Sequence, residues 1–128
     1  MRGDDMASTN GTGDGDLGAA RDEYDGPRRP LLLKVSPDIS EEERDVIAEA
    51  AMTGLLDGLV LTNTTTARAD TLRAPDSVRA EAGGLSGRPL HERAVGHVTW
   101  FSKRTEGTVP IIGVGGIFSP DDARRMLL

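Results

Sequence analysis

The chain has 128 residues, no cysteine and a net charge of −6 at pH 7. Disulfides, zinc ribbons, iron–sulfur clusters and thiol catalysis are therefore excluded, and nucleic-acid binding by bulk electrostatics is disfavoured. No apolar run approaches the roughly eighteen residues of a membrane-spanning helix, and the N-terminus lacks the apolar stretch of a secretion signal.

Residues 1–29 are rich in Gly and Asp and hold few apolar side chains. Such a segment cannot offset the entropy of ordering its backbone, so a disordered linker or insertion is expected, with residues 30–128 as the folding unit. Gly13, Gly15 and Gly18 spell G-x-G-x-x-G, but no strand precedes them, and Asp14 and Asp16 would repel a pyrophosphate. Asn10-Gly11-Thr12 is a glycosylation sequon in spelling alone.

From Pro30 onward short apolar runs alternate with amphipathic stretches. "LLLKV" (31–35) is shaped like a strand covered on both faces. A helix follows, capped by Ser40 with Glu43 completing a capping box, and Val46, Ile47, Ala50, Ala51 and Leu55 mark its inward face. "GLVLT" (58–62) is the second strand. After a long polar stretch, Leu90, Ala94, Val95, Val98 and Phe101 define a second amphipathic helix that Gly107 is placed to end. "PIIGV" (110–114) is the third strand, and Ser119, Pro120, Asp121 and Asp122 start a last helix. Strand and helix thus alternate three times, which predicts parallel strands joined by right-handed crossovers. Three such units do not close an eight-fold barrel, which takes roughly 250 residues. The expected fold is α/β, either a small open sheet or part of a larger barrel.

Ligands of parallel α/β folds bind beyond the carboxyl ends of the strands, and all three ends carry unusual residues. Lys34 sits among apolar neighbours, where it must snorkel, pair with a carboxylate or face a ligand. Thr62, Asn63, Thr64, Thr65 and Thr66 supply donors and acceptors, or else a capping cluster. Gly115 and Gly116 allow either close approach to a phosphate or a tight turn. The long connection that contains "EAGGLSGRPL" (81–90) suits a functional or a disordered loop, and its Gly83, Gly84 and Gly87 permit close approach to a flat ligand or a phosphate. Together these signals favour a site for a phosphate-bearing cofactor with a polar ring system. His91 and His97 do not have metal-ligand spacing and suit surface or core roles, while Trp100 and Phe101 suit helix packing.

"LLLKVSPDI", "DGLVLTNTT", "EAGGLSGRPL" and "VPIIGVGGI", in this order and spacing, resemble the C-terminal half of the class 2, quinone-dependent dihydroorotate dehydrogenases. The resemblance covers residues 30–128; nothing in the first 29 residues resembles that family. It implies the C-terminal part of a (β/α)8 TIM barrel, with FMN as cofactor, that oxidises dihydroorotate to orotate in pyrimidine biosynthesis and passes electrons to ubiquinone. Carried over, Lys34 would contact the flavin ring and balance charge on the reduced flavin. Thr62, Gly87, Gly115 and Gly116 would bind FMN, the last two through phosphate, and Asn63 and Thr64 would hydrogen-bond the pyrimidine. The family's serine base, its substrate lysine and several substrate asparagines lie upstream of the matching blocks, so no catalytic residue is expected in this chain. The region that binds quinone and membrane also lies upstream, and the strand that completes the phosphate site would follow Leu128. The chain alone is therefore expected to be inactive and to bind FMN weakly. Placement at the mitochondrial or bacterial inner membrane is implied by the same resemblance. A class 1 relative, another FMN barrel or a non-catalytic phosphate-binding half-barrel are the alternative readings.

Overall fold

A computed structural model of the chain describes residues 13–127, with side chains in the first helix described from Leu17. In chain order the elements are α1 (Gly13–Asp22), β1 (Leu32–Val35), α2 (Glu41–Met52), β2 (Gly58–Leu61), α3 (Asp76–Arg79), α4 (His91–Arg104), β3 (Ile111–Gly113) and α5 (Pro120–Met126). A single 3-10 turn, Arg88–Leu90, leads into α4. The strands form one parallel sheet in the order β1-β2-β3, with Leu33 beside Leu59 and Leu59 beside Ile111. Sequential neighbours joined by helical crossovers are the pattern that the alternation in sequence predicts.

Side chains alternate across the sheet, and only one face is covered. Val35, Leu59 and Leu61 point into a core completed by Ala48, Ala50 and Ala51 of α2, Ala94, Val98 and Phe101 of α4, and Met126 of α5. The opposite face leaves Leu32, Ile112 and Val114 exposed. The expectation that β1 is covered on both faces therefore fails among the described residues: its burial alternates toward a fully buried Val35. Phe101 is fully buried and meets Trp100 edge to face with ring centroids 5.0 Å apart, while the Arg44 guanidinium lies 4.2 Å over the Trp100 ring.

The helix boundaries follow local chemistry. Ser40 Oγ accepts from Glu43 N–H at 3.2 Å and Glu43 Oε2 accepts from Ser40 N–H at 2.7 Å, a complete capping box. Gly107, at φ 68°, takes the left-handed conformation that closes α4 and donates its N–H to Ser102 O. Ser119 Oγ accepts from Asp122 N–H at the start of α5. Two expected inward residues point elsewhere. Val46 is 42% exposed because Ile47 and Ala48 occupy the inner stripe of α2. Leu55 lies beyond the helix, where Gly54 at φ 84° turns the chain and Leu56 is buried instead.

The first 29 residues also depart from expectation. Residues 1–12, with the Asn10 sequon, lie outside the described residues, but residues 13–22 are helical where a disordered linker was predicted. Gly13, Gly15 and Gly18 thus sit inside a helix, with no phosphate-binding turn. What holds this segment is one carboxylate. Asp57, just before β2, accepts from Leu31 N–H at 2.7 Å, Arg28 at 2.6 Å and Arg21 at 3.0 Å. Gly18 packs against Leu55, where a methyl group would come within 3.5 Å of Leu55 O. Apolar content alone did not reveal this tether, because its energy lies in charge-assisted hydrogen bonds. Among the described residues no helix is long and apolar enough to cross a membrane, and no group of three metal-ligating side chains assembles.

Two outcomes are expected from this packing. Replacing Phe101 by Ala should lower the unfolding free energy by about 3–5 kcal/mol, read from chemical denaturation, because the vacated volume is enclosed on all sides. The Leu31 N–H, then the Arg28 and Arg21 guanidinium groups, lower the Asp57 carboxyl to about 2. Its contribution to stability is therefore complete above the unfolded value of about 3.9 and is lost as pH falls toward about 2. Asp57→Asn should flatten the acid limb of a circular-dichroism titration in that window; an unchanged limb would count against the tether.

Candidate functional site

The seven residues named from the strand ends, Lys34, Thr62, Asn63, Thr64, Gly87, Gly115 and Gly116, all line one cavity of about 450 Å3. They come from four segments of the chain: β1, the ends of β2 and β3, and the loop that enters α4. Lys34 projects from the uncovered face of β1, level with Val60, and takes part in no ion pair among the described residues.

The polar run after β2 divides in two. Thr62 is 2% exposed; its N–H donates to Val114 O at 2.9 Å and its hydroxyl to Asn63 O at 2.9 Å. The peptide between Leu61 and Thr62 is cis. Asn63 N–H donates to Val35 O at 2.8 Å, so its backbone is stitched to β1 while its exposed side chain remains at the cavity. Thr64 is held from behind by Gly84: a methyl group on Gly84 would lie 2.5 Å from Thr64 Cβ. Thr65 and Thr66 turn away. Thr65 Oγ1 donates to Asp38 Oδ1 at 2.5 Å, and Thr66 donates to Asp38 Oδ2 through its N–H at 2.8 Å and its hydroxyl at 3.1 Å.

Asp38 also pairs with Arg93 of α4 at 3.0 Å. Burial alone would raise its carboxyl, but the Thr65 and Thr66 hydrogen bonds and the Arg93 charge hold it below its ordinary value. It is ionised at neutral pH and ties the ends of β1 and β2 to α4. The long connection beyond Thr66 is ordered by Arg68, whose guanidinium donates to the carbonyls of Thr65, Thr66, Ala67, Glu81 and Gly83. A two-residue bridge, with Thr65 N–H donating to Leu85 O at 3.0 Å and Leu85 N–H to Thr65 O at 2.7 Å, brings "LSG" back to the cavity.

The glycine loop after β3 is the tightest part. Gly115 and Gly116 have φ of 131° and 64°, a region that L side chains avoid. A methyl group on Gly116 would meet Gly87 O at 2.6 Å and His91 Cβ at 2.8 Å. Only bare backbone allows the two loops to come so close. Neither the Gly115 nor the Gly116 N–H makes a backbone hydrogen bond among the described residues, so both donors remain available to an anion at the cavity.

His91, the first residue of α4, for which a surface or core role was expected, is buried behind the glycine loop, a position the sequence did not reveal. It is 4% exposed, with Nδ1 3.1 Å from Gly115 O and Nε2 3.6 Å from Asp122 Oδ1. A carbonyl can only accept, so Nδ1 carries a proton and donates to Gly115 O. His91 thereby fixes the glycine loop to the start of α4. Asp122 is kept below its ordinary carboxyl value first by the Phe118 N–H and then by the Ser119 hydroxyl, burial opposing, with the neighbouring imidazole a lesser cause. His97 has a plainer role. Burial lowers its imidazole, and the bond from Nε2 to Pro37 O at 3.0 Å opposes that only in part. The signal that could have found His91 is positional: it opens the helix that directly follows "LSGRPL", so it must face the glycine loop of the next strand.

A cavity at the carboxyl ends of parallel strands, with a cation on its wall, amide and hydroxyl groups along one rim and bare glycine N–H groups at the other, suits a ligand with a polar ring and a phosphate. Comparison with known proteins supplies the family. The family model described as dihydroorotate dehydrogenase matches residues 7–128. That match begins well inside the first 29 residues and corrects the expectation that this segment has no counterpart in the family. The dihydroorotate dehydrogenase (quinone) of Thermosynechococcus vestitus is 48% identical over 107 residues, covering 79% of this chain and 29% of that protein. The mitochondrial dihydroorotate dehydrogenase (quinone) of Mus musculus is 41% identical over 104 residues, covering 80% and 26%. The crystal structure of a ligand-free type dihydroorotate dehydrogenase from Eimeria tenella superposes with a TM-score of 0.72 at 42% identity, over 77% of this chain and 27% of that one. The same organism's enzyme in complex with ferulenol gives 0.71 at 43% identity. The chain thus spans less than a third of the relatives it matches. Matched by the family model over nearly its whole length, and in its strands and helices by solved relatives, the chain belongs to the dihydroorotate dehydrogenase family, as a sector of that family's (β/α)8 barrel.

Proposed function

We propose that this chain supplies the flavin and pyrimidine contacts of a quinone-dependent dihydroorotate dehydrogenase, in which dihydroorotate is oxidised to orotate for pyrimidine biosynthesis. The observation that carries the proposal is the convergence of Lys34, Thr62, Asn63, Thr64, Gly87, Gly115 and Gly116 on one cavity. Quinone as the final electron acceptor, and with it an inner-membrane setting, rests on the names of the relatives.

The residues present fit FMN. The cradle between Gly87 and Gly116 excludes even a methyl group, and its spare N–H groups suit a phosphate. Bound there, FMN would supply the two-electron acceptor that the oxidation requires. Gly115 and Gly116 would hold its phosphate through backbone amides. Lys34, without a carboxylate partner among the described residues, would place a fixed positive charge at the ring and favour negative charge there. Thr62 and Gly87 would complete the contacts along the rim. Asn63, whose amide both donates and accepts, and Thr64 would read the edge of the pyrimidine. No residue of this chain is assigned the base that removes the substrate proton, so turnover is assigned to the whole enzyme and not to this chain.

FMN titrated into the 15N-labelled chain should shift the amide signals of Thr62, Gly87, Gly115 and Gly116 even at weak affinity. Gly116→Ala should abolish those shifts and, by forcing a side chain into a left-handed position against Gly87, also lower stability by about 1–3 kcal/mol. Shifts that ignore these residues would sink the assignment. With FMN present, orotate should shift Asn63 and Thr64. Gly84→Ala, which drives a methyl group into Thr64, should weaken that response and leave the FMN response in place. Mixed with dihydroorotate and a redox dye, the chain alone should give no dye reduction; a yellow preparation that reduces the dye would overturn the division of labour.

A further inference from the structure

A second cavity, of about 610 Å3, lies beside the long connection after β2 and shares no lining residue with the first. Four arginines line it, Arg68, Arg73, Arg88 and Arg93, and no carboxylate does. Its remaining wall is mainly apolar, formed around Leu72, Leu85 and Pro89.

The four cations are not equivalent. Arg93 is neutralised by Asp38 at 3.0 Å. Arg68 is held by five carbonyl oxygens, which fix its position, and it has no carboxylate partner among the described residues. Arg73 is exposed, and neither it nor Arg88 enters a hydrogen bond or ion pair among the described residues. Arg88 instead lies 4.9 Å over the ring of Phe118, which belongs to the wall of the first cavity. The second cavity therefore combines one immobile positive charge, two guanidinium forks with donors to spare and an apolar floor. A fork of this kind matches a carboxylate or phosphate through two parallel hydrogen bonds. The apolar floor rewards a ligand that brings hydrocarbon with its charge, and the volume is that of a small-molecule site.

We propose that this cavity is a second ligand site, for a small organic anion in which a phosphate or carboxylate is carried on an apolar body. Arg73 and Arg88 clasp the anion in the field of Arg68, and Leu72, Leu85 and Pro89 cover the apolar part. The site does not depend on FMN binding, because its walls come from the connection after β2 and the turn into α4.

Phenyl phosphate is a suitable probe, with phenol and inorganic phosphate as controls that lack the charge or the ring. Titrated into the 15N-labelled full chain, it should give saturable amide shifts within residues 67–73 and 85–89. Phenol and inorganic phosphate should each bind roughly tenfold more weakly or worse, as should phenyl phosphate to the Arg73→Gln, Arg88→Gln double variant, the equivalent of one lost charge-assisted hydrogen bond. Neither arginine is hydrogen-bonded to another of the described residues, so the circular-dichroism spectrum of the variant should match the parent. Absence of saturable shifts, equal binding by the double variant, or equal binding of inorganic phosphate would each overturn the proposal. So would shifts confined to Thr62, Gly115 and Gly116, which would place the probe at the glycine loop.

Discussion

The carboxylate of Asp38 is the constraint on which the geometry of the strand ends depends. It stands three residues beyond β1 and takes hydrogen bonds from Thr65 and Thr66 beyond β2, while Arg93 of α4 pairs with its outer edge. Parallel strands fix the spacing of their carboxyl ends, but they do not fix which way the chain turns afterwards. Asp38 makes that choice. By drawing Thr65 and Thr66 toward itself, it leaves the preceding Thr62, Asn63 and Thr64 at the cavity. Partial burial strengthens these charge-assisted bonds, and the Arg93 guanidinium balances the charge that burial would otherwise penalise. One carboxylate thus separates a run of five hydrogen-bonding residues into a cavity-lining part and an anchoring part.

Most of the fold could be read from sequence because its signals are local. The capping box at Ser40, the left-handed stop at Gly107 and the cap at Ser119 each depend on neighbours within five residues, and all three occur where expected. Long-range electrostatics was not legible. Nothing near Arg21 or Arg28 announces that both will meet Asp57, so α1 was missed. Spacing on α2 misled for a related reason: a helix with small inward residues can rotate, and the packed stripe runs through Ala48 instead of Val46. The cavity residues were found because parallel topology places all strand ends together. His91 was not, because its partner Gly115 lies a full helix and strand away. The roles given to those residues came from family resemblance, and their shared cavity is the structural fact that supports them.

The uncovered face of the sheet belongs to the same logic. Lys34, Val60 and Ile112 stand side by side across the three strands, one layer of the kind that fills a (β/α)8 barrel. Ile112 and Val114 are exposed here, yet in the barrel to which this sector belongs that face points inward. Apolar side chains on it suit such a layer, and Lys34 is the charged exception that the proposed flavin contact would explain. A lysine in such a layer would be costly beside hydrocarbon alone. At the upper rim, next to Thr62 and the glycine loop, it can meet an anionic ring system at the one level of the barrel open to ligands.

Side chains of the two cavity walls meet where Arg88 lies over Phe118. Phe118 forms part of the wall of the first, Arg88 part of the wall of the second, and the guanidinium lies over the ring. A cation over an aromatic face contributes about 0.5–1 kcal/mol at an exposed site, enough to bias a side chain without locking it. Gly87 precedes Arg88 directly and meets Gly116 across the cradle, so the backbone that carries the arginine also shapes the glycine loop. An anion that draws Arg88 off Phe118 loosens the ring that stands at the mouth of the first cavity. Linkage requires the converse as well: whatever fixes Phe118 from the first cavity changes the freedom of Arg88 by the same free energy. The adjacency of Gly87 and Arg88 is thus where the proposed cofactor site and the proposed second anion site would be coupled in this chain.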